Sequence, residues 1–239
     1  MEVGEAPRFA VGVGYAVYQG PVADSAVHRH AAFQIAIAVR GAVGMVDDAG
    51  TLHRAVALVV PPMARHRLLA TAGLRTFFVE PHCAFADQLR ERCGAGVTVA
   101  ADLGGLDEDD VRRATARPSS ELDPRLLAAM DTRVDQRVSM PALAAGVGLS
   151  PQRLRALARE QLGMPLGRWQ VWQRLGRAAA ALRAGESLAG AAIAGGFADQ
   201  AHFTRQLREM MGLTPSAVLP ALRSSPAARD VDRDRAGDR

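Results

Sequence analysis

The sequence predicts two domains, an all-β front half followed by an all-α back half. Short β-prone runs separated by glycine and proline turn signals fill residues 9–80, a pattern typical of a sandwich or barrel. Helical periodicity, with clear start and stop signals, dominates from residue 125 onward. The charge divides at the same place: residues 1–123 carry 12 arginines and 15 acids, net −3, whereas residues 124–223 carry 13 arginines and 6 acids, net +7.

The composition excludes several classes of protein. With 239 residues, 49% of them hydrophobic, the chain can bury a substantial core, and no apolar run approaches the roughly 18 residues of a membrane span. The acidic start at Met1–Glu5 has no signal-peptide core, so we expect a cytoplasmic protein without a membrane partner. Two cysteines, Cys83 and Cys93, are too few for a disulfide framework. All 29 basic residues are arginine, a bias that a G/C-rich genome explains.

Four runs in the front half are predicted to be strands. They are Phe9–Tyr18, Phe33–Val39, Ala55–Val60 and Arg75–Val79. Turn signals lie between them at residues 20–21, 41, 47–50, 61–62 and 73.

The chain is predicted to divide into four segments. They are a sensor domain over residues 1–82, a helical linker or dimerisation segment over 83–123, an all-α domain over 124–223 and a tail over 224–239. Within the linker, helices are expected in Ala84–Arg92 and Leu103–Arg117. The tail has almost no apolar content and is predicted to be disordered. An acidic front domain joined to a basic back domain is typical of a sensor attached to a nucleic-acid binder.

The back half contains an internal repeat, with one copy in Ser139–Gly163 and the other in Ser187–Gly212. From Ser150, which aligns with Asp199, the two copies match at an offset of 49 residues. Each copy has a capped short helix, a glycine-containing turn, a second capped helix and a closing glycine. This is the pattern of a helix-turn-helix written twice.

The second helix of each copy divides into an apolar stripe and a polar face. The stripes are Leu154, Leu157 and Ala158 in the first copy and Phe203, Leu207 and Met210 in the second. The polar face suits base recognition, because glutamine reads adenine and arginine reads guanine through paired hydrogen bonds in the major groove. The candidate DNA-reading residues on this face are Gln152, Arg153, Arg155, Gln200, His202, Thr204 and Arg205, and the resemblance described below adds Ala156 and Ala201.

A single helix is predicted to join the two motifs. A helix from about Leu166 to Ala184 is roughly 28 Å long. Helices that enter successive major grooves on one face of DNA sit about 34 Å apart, so a rod of this length can set their spacing. Trp169 and Trp172 on this helix are predicted to pack in the core between the motifs.

The back half resembles the AraC/XylS family of bacterial transcription regulators over about residues 124–220. The most specific part is the pattern Gly-Phe-x-Asp-x-x-x-Phe-x-Arg-x-Leu, which starts at Gly196, with Gly-x-x-Pro following at Gly212. The segments Gly163–Gln170 and Arg174-Leu175 also match. The resemblance implies double-stranded DNA as a partner, an all-α domain of seven helices and two helices that read DNA.

Carried over residue by residue, the resemblance assigns DNA contacts to seven of the candidate positions. They are Gln152, Arg155 and Ala156 in the first reading helix, and Gln200, Ala201, His202 and Arg205 in the second. Alanine at 156 and 201 departs from the larger polar residues common in the family. The family also implies a homodimer through the helices after the sensor, and RNA polymerase is a further expected partner.

The front half contains His28-Arg-His30, followed by Gln34 and Gly41, and a further histidine at His66. With these residues it resembles the cupin fold, a double-stranded β-helix or jelly roll, whose second motif supplies the histidine at 66. Four departures from the cupin motifs are Gln34 in place of an acid, Ala55 and Met63 in place of glycines, and Ala70 in place of an asparagine. His28 and His30, two residues apart on a strand, can face one side, and His66 would come from a paired strand.

Three imidazoles and an amide oxygen could hold Zn²⁺, Ni²⁺, Mn²⁺ or Fe²⁺, and the resemblance makes His28, His30, Gln34 and His66 candidate metal or effector ligands. A small-molecule pocket without metal, and a purely structural role, are the alternatives. Gln34 is a weaker ligand than a carboxylate and disfavours redox enzymology.

The leading hypothesis is therefore a non-enzymatic, ligand-responsive DNA-binding transcription regulator, either activator or repressor, whose sensor takes a small molecule or metal. The second hypothesis is a metal-dependent cupin dioxygenase or isomerase with a helical appendage. A constitutive DNA binder with a vestigial sensor is the third. Metal analysis, DNA binding against salt and thermal shifts with metabolites separate the three.

Overall fold

Two antiparallel sheets form the front half of the chain in the computed structural model, which describes residues 7–132 and 138–224. The strands of this described part are β1 (Arg8–Gly12), β2 (Tyr15–Val22), β3 (Phe33–Ala38), β4 (Val43–Asp47), β5 (Leu52–Ala55), β6 (Ala57–Val60), β7 (His66–Leu68), β8 (Thr71–Val79) and β9 (Thr98–Val99). One sheet has the order β1-β2-β8-β3-β6-β9 and the other the order β5-β4-β7. The predicted all-β class of the front half is confirmed.

Two predicted strands are each divided in the structure. The run Phe9–Tyr18 forms the hairpin of β1 and β2, which turns at Val13-Gly14, where Gly14 has φ of 75°. The run Ala55–Val60 breaks at Val56, because β5 belongs to the small sheet and β6 to the large one. Alternation alone does not show where a strand changes sheets.

Two predicted turns are wrong, since both lie within strands. Gly20-Pro21 lies in β2, where a register shift between Gly20 and Val22 marks a bulge that accommodates the proline. Gly73 lies in β8. A Cβ atom there would lie 3.1 Å from the Cβ of Val39, so this glycine permits a close approach of two chain segments.

The segment after the strands packs on the large sheet. It contains α1 (Ala84–Arg92), a short 3₁₀ helix (Ala101–Gly105) and α2 (Glu108–Thr115). The bounds of α1 match the prediction. Leu89 and Val111 lie in the same buried cluster as Phe77, so these helices are part of the sensor core. The predicted domain boundaries and a dimerisation role remain expectations.

Seven helices follow in the described part of the back half, as the family resemblance implied. They are α3 (Pro124–Asp131), α4 (Met140–Gly146), α5 (Pro151–Leu162), α6 (Leu166–Arg183), α7 (Leu188–Ala194), α8 (Gln200–Met211) and α9 (Pro215–Ser224). The joining helix α6 has 18 residues and is about 27 Å long. Trp169 and Trp172 are buried on it, which confirms their predicted place in the core.

The two halves share one apolar core. The cluster that fills the helical domain continues into the sensor through Ala31, Ala32 and Phe78. The rings of Phe78 and Trp172 lie 5.8 Å apart across this boundary. In the described residues, no helix has the length and apolar content needed to cross a bilayer. Apart from Ser224, the predicted disordered tail 224–239 lies outside the described residues.

Candidate DNA interface and histidine site

The two candidate reading helices, α5 and α8, are built alike. Ser150 caps the first through its Oγ, which accepts the Arg153 main-chain N–H at 3.2 Å. Asp199 caps the second through Oδ1, which accepts the N–H of His202 at 2.6 Å. Each helix has 12 residues and ends on a left-handed glycine. The sequence repeat predicted at an offset of 49 residues therefore corresponds to a structural repeat.

Both helices bury the predicted stripe and present the predicted polar face. The buried residues are Leu154, Leu157 and Ala158 on α5 and Phe203, Leu207 and Met210 on α8. The exposed candidates are Gln152, Arg153, Arg155, Gln200, Ala201 and Arg205, whereas Ala156, His202 and Thr204 are half-buried. The exposed glutamines and arginines occupy the first two turns of each helix, the part of a reading helix that contacts base edges.

His202 is held in a fixed orientation. Its Nδ1 accepts the main-chain N–H of Ala198 at 3.3 Å, and its ring packs edge-on against Phe197. Because Nδ1 accepts a hydrogen bond, a neutral ring carries its proton on Nε2. His202 therefore holds a donor at the start of α8.

The predicted effector residues come together in the sensor. His28 and His66 exchange main-chain hydrogen bonds of 2.9 and 3.1 Å, which confirms the predicted pairing of their segments. The Nε2 atoms of His28 and His30 lie 3.1 Å apart. The Oε1 atom of Gln34 lies 3.0 Å from Nε2 of His30 and 2.7 Å from Nε2 of His66. All four side chains are buried.

Main-chain carbonyls set the tautomers of two of these rings. Nδ1 of His28 lies 2.8 Å from the carbonyl oxygen of Ala26, and Nδ1 of His66 lies 3.0 Å from that of Ala64. A carbonyl can only accept, so both Nδ1 atoms carry the proton and both neutral rings turn an Nε2 lone pair inward. With its oxygen also turned inward, Gln34 adds another acceptor to the centre.

Burial keeps the three imidazoles neutral. Desolvation, followed by the charge of His28, lowers the pKa of His66 to about 4. Desolvation and the two neighbouring imidazoles lower the pKa of His30 well below its usual range, and desolvation also lowers that of His28. Neutral imidazole is the form that binds metal.

Other residues of the site were not predicted from the sequence. Thr76 Oγ1 lies 3.3 Å from the Nε2 of Gln34 and orients that amide. Met63 adopts a left-handed φ of 66° at a position where the cupin motif has glycine, and its N–H donates to the carbonyl of His30 at 2.8 Å. The presence of methionine where the cupin motif has glycine was the feature of the sequence that could have identified Met63. No feature of the sequence marked Thr76.

A cavity of about 150 Å³ adjoins the histidines. Its sensor wall includes Phe9, Tyr18 and Phe78, and its other wall comes from the ends of α8 and α9, including Met211 and Val218. No charged side chain of the described residues lines it. The cavity is therefore suited to an apolar group, and residues of both domains line it.

A second domain contact surrounds Glu80. Its Oε1 accepts the indole N–H of Trp172 at 3.1 Å, and its Oε2 lies 3.7 Å from Nδ1 of His82. Desolvation raises the pKa of Glu80 to about 7, although the hydrogen bond from Trp172 opposes the shift. This carboxyl therefore titrates in the neutral range at the junction with α6.

The two capped helices with exposed polar faces form the arrangement of a doubled helix-turn-helix. Residues 143–220 match the family described as a helix-turn-helix domain, and the chain carries an AraC-type domain of this kind at its C-terminal end. A search of curated protein sequences finds no match.

Solved structures of ToxT share the two-domain fold. ToxT from Vibrio cholerae O395 is 10% identical, with a TM-score of 0.57 over 88% of this chain and 99% of its own. Wild-type ToxT from Vibrio cholerae strain SCE256, bound to an unsaturated fatty acid, is 12% identical, with a TM-score of 0.58 over 95% and 100%. A regulator from Chromobacterium violaceum with an AraC-type DNA-binding domain is 26% identical, with a TM-score of 0.38 over 43% and 92%.

Proposed function

We propose that this regulator reads two successive major grooves of double-stranded DNA with α5 and α8, and that its sensor responds to a divalent transition metal at His28, His30, His66 and Gln34. The observation that carries the DNA-reading part is the pair of matched helices with exposed glutamine and arginine in their first two turns. The convergence of acceptors in the buried histidine site supports the choice of effector.

Base reading is assigned first to Arg155 and Arg205, which are both exposed. Each guanidinium can donate two hydrogen bonds to guanine, and Gln152 and Gln200 can pair similarly with adenine. Ala156 and Ala201 offer only apolar contact, which suits a thymine methyl group. Arg153, His202 and Thr204 are assigned to phosphates or to flanking bases.

The test is binding to a duplex that the wild-type protein selects from a random pool. Arg155→Ala and Arg205→Ala should each weaken binding by more than about tenfold, the value of one good base contact. Matched controls are Arg159→Ala and Arg208→Ala, which remove exposed arginines from the last turns of the same helices. Equal losses in all four variants, or binding that is weak and independent of salt, would show that these first two turns do not read bases.

The donor set of the histidine site fits a divalent transition metal. Imidazole nitrogens suit Zn²⁺, Ni²⁺ and Fe²⁺, and a ligating histidine commonly donates its other ring N–H to a carbonyl, as His28 and His66 do to Ala26 and Ala64. Bound there, the ion would supply positive charge that holds the inward-facing lone pairs together. Gln34 lacks the charge of a carboxylate, which favours sensing over redox chemistry.

A small apolar molecule bound without metal is the second candidate effector. The uncharged cavity of about 150 Å³ beside the histidines favours it, and ToxT, which has this fold, is known with an unsaturated fatty acid bound. In this arrangement the Gln34 amide would be turned over, so that its NH₂ donates to Nε2 of His30 and of His66. A metal effector and an apolar effector bound without metal thus require opposite orientations of the Gln34 amide.

Titration of metal-free protein with Zn²⁺, Ni²⁺, Mn²⁺ and Fe²⁺ separates the candidates. The wild type should bind one ion, His66→Ala should lose that binding, and the control His53→Ala should keep it, since His53 pairs with Asp47 outside the cluster. Gln34→Glu should bind the ion more tightly because it supplies a carboxylate.

Equal binding by the wild type and His66→Ala would overturn the metal site, and thermal shifts with apolar ligands would then test the cavity. Substrate turnover with bound Fe²⁺ would support a cupin enzyme instead.

A further inference from the structure

The end of α8 rests on the sensor segment that carries two of the site histidines. The N–H of Ala26 donates to the carbonyl of Gly212 at 3.3 Å, and the N–H of Arg29 donates to that of Glu209 at 3.5 Å. Carbonyls at the end of a helix have no partner within the helix. The sensor therefore caps the second reading helix with main-chain donors that flank His28.

Gly212 packs directly against the outer side of His28. A Cβ atom at position 212 would lie 2.6 Å from Nδ1 of His28 and 2.8 Å from the carbonyl oxygen of Ala26. These two atoms form the hydrogen bond that fixes the tautomer of His28. Displacement of this helix end would therefore disturb the orientation of His28.

His30 meets the same helix end. Its Nδ1 is buried and makes no hydrogen bond of ordinary geometry with the described residues. Desolvation lowers the pKa of this ring most strongly, and the main chain of Met210 opposes that shift, which places Met210 beside His30.

We propose that the metal site is shared between the domains: the end of α8, through Gly212 and the carbonyls of Glu209 and Gly212, forms its outer shell and couples its occupancy to the second reading helix. This inference rests on the metal site proposed above. An ion bound to Nε2 of His30 requires the proton on Nδ1. A ring that starts with its proton on Nε2 releases it to solvent and takes one up from solvent at Nδ1, with no net change.

Metal binding then strengthens the contact between the domains, because the charge of the ion lies near the negative end of the α8 dipole. Coupling of this kind is reciprocal, so the position of α8 also sets the metal affinity. The first reading helix lacks the contact, because apart from the adjoining chain no described residue lies within 4 Å of the position that a Cβ atom would take at Gly163.

The repeat supplies a matched pair of variants. Gly163 and Gly212 have φ of 67° and 65°, so alanine suffers the same backbone strain at both positions. Of these two variants, only Gly212→Ala also places a Cβ atom in steric conflict with His28. Zn²⁺ affinity, measured by competition with a chromophoric chelator, should fall by about tenfold or more in Gly212→Ala, as for loss of an outer-shell partner. In Gly163→Ala it should stay within about twofold of the wild type.

Hydrogen exchange in the wild type tests the same inference without a variant. Zn²⁺ should slow exchange of the Ala26 and Arg29 amides, which donate to α8, and leave the amides of Gln161–Gly163 unchanged. His66→Ala should abolish the Zn²⁺-dependent protection. This measurement decides the question even where Gly212→Ala fails to fold.

The outcomes separate the two proposals. Zn²⁺ binding that is equal in both glycine variants, without protection of Ala26 and Arg29, would leave the metal site standing and overturn the shared outer shell. Protection of both reading helices alike would also overturn it, since the coupling would then be general. Absence of Zn²⁺ binding in the wild type would overturn both proposals.

Discussion

The two helix-turn-helix motifs have the same internal structure, but the ends of their second helices contact different parts of the chain. Both have a side-chain cap, a 12-residue second helix and a left-handed closing glycine. The end of the first is tied to the segment before the helical domain, because Gln161 Oε1 accepts the Asp123 main-chain N–H at 2.8 Å. The end of the second is tied to the histidine segment of the sensor through Glu209 and Gly212.

This difference shows how a repeat can respond unequally to one signal. The inner faces of both motifs are buried in the same cluster, so core packing treats them alike. Among the described residues, the outer end of α8, and not that of α5, bonds to the segment that carries the proposed effector residues. This arrangement allows one motif to stay fixed while the other adjusts.

The largest expected effect comes from the equivalent core residues Leu154 and Phe203. Both are almost fully buried. Phe203→Ala should lower the free energy of unfolding by about 3–5 kcal/mol, and Leu154→Ala by about 2–5 kcal/mol, because each leaves a cavity. Urea unfolding followed by circular dichroism measures both. A loss below about 1 kcal/mol in one variant alone would show that its motif is not packed as the repeat implies.

The contact through α6, which both motifs share, should depend on pH at Glu80. Its pKa of about 7 exceeds the ordinary 4.5, so the unfolded chain releases this proton at lower pH than the folded one. The contribution to stability is fully present below pH 4.5 and is lost as pH rises to about 7. Glu80→Gln keeps an acceptor for Trp172 and should stabilise the protein by about 2–3 kcal/mol at pH 8.

Thermal unfolding of the wild type and Glu80→Gln between pH 4.5 and pH 8 measures this effect. The two curves should converge at the acid end, where both side chains are uncharged. A constant difference across the range would mean that ionisation of Glu80 is not its cause.

A smaller effect is expected at the two helix caps. Ser150→Ala and Asp199→Ala each remove the acceptor for one main-chain N–H and should cost about 1 kcal/mol. Chemical denaturation gives the values, and hydrogen exchange shows whether fraying is confined to the first turn. A much greater loss from one variant would mean that its cap also orders the preceding turn.

The smallest effect is expected at the ion pair between the domains. Arg29 lies 3.6 Å from Glu209, and about 37% and 39% of the two side chains are exposed, so solvent screens the pair. Arg29→Gln should cost at most about 0.5 kcal/mol, and less in high salt. The main-chain bond from Arg29 to Glu209 is retained. A loss above about 1.5 kcal/mol would assign the docking of α8 to charge instead of to main-chain hydrogen bonds.

The sequence predicted the helical domain more fully than the sensor. Caps such as Ser150 and Asp199, closing glycines and the period of the buried stripe act within a few residues, so they can be found along the chain. The bounds of α1 and the extent of α6 followed from the same signals. The errors at Gly20-Pro21 and Gly73 arose because a bulge and a close approach of strands use the residues that also form turns.

The histidine site was predicted in part. His28, His30, Gln34 and His66 were assigned together on motif spacing, and the structure brings them within hydrogen-bonding distance. Thr76 was missed because it comes from a strand that meets Gln34 only in the folded sheet. The roles of Glu209 and Gly212 lay outside any local pattern, since they belong to the other domain.

The sequence by itself determined the two-domain class, the doubled motif, its capped helices and the identity of the candidate DNA-reading and effector residues. These follow from interactions close along the chain and from residue chemistry. The tertiary structure alone decided which tautomers the carbonyls of Ala26 and Ala64 impose, that a cavity lies between the domains, and that only the second reading helix rests on the histidine segment. The contacts between α8 and the sensor join residues more than a hundred positions apart, and they form because burying one continuous core brings the two halves together.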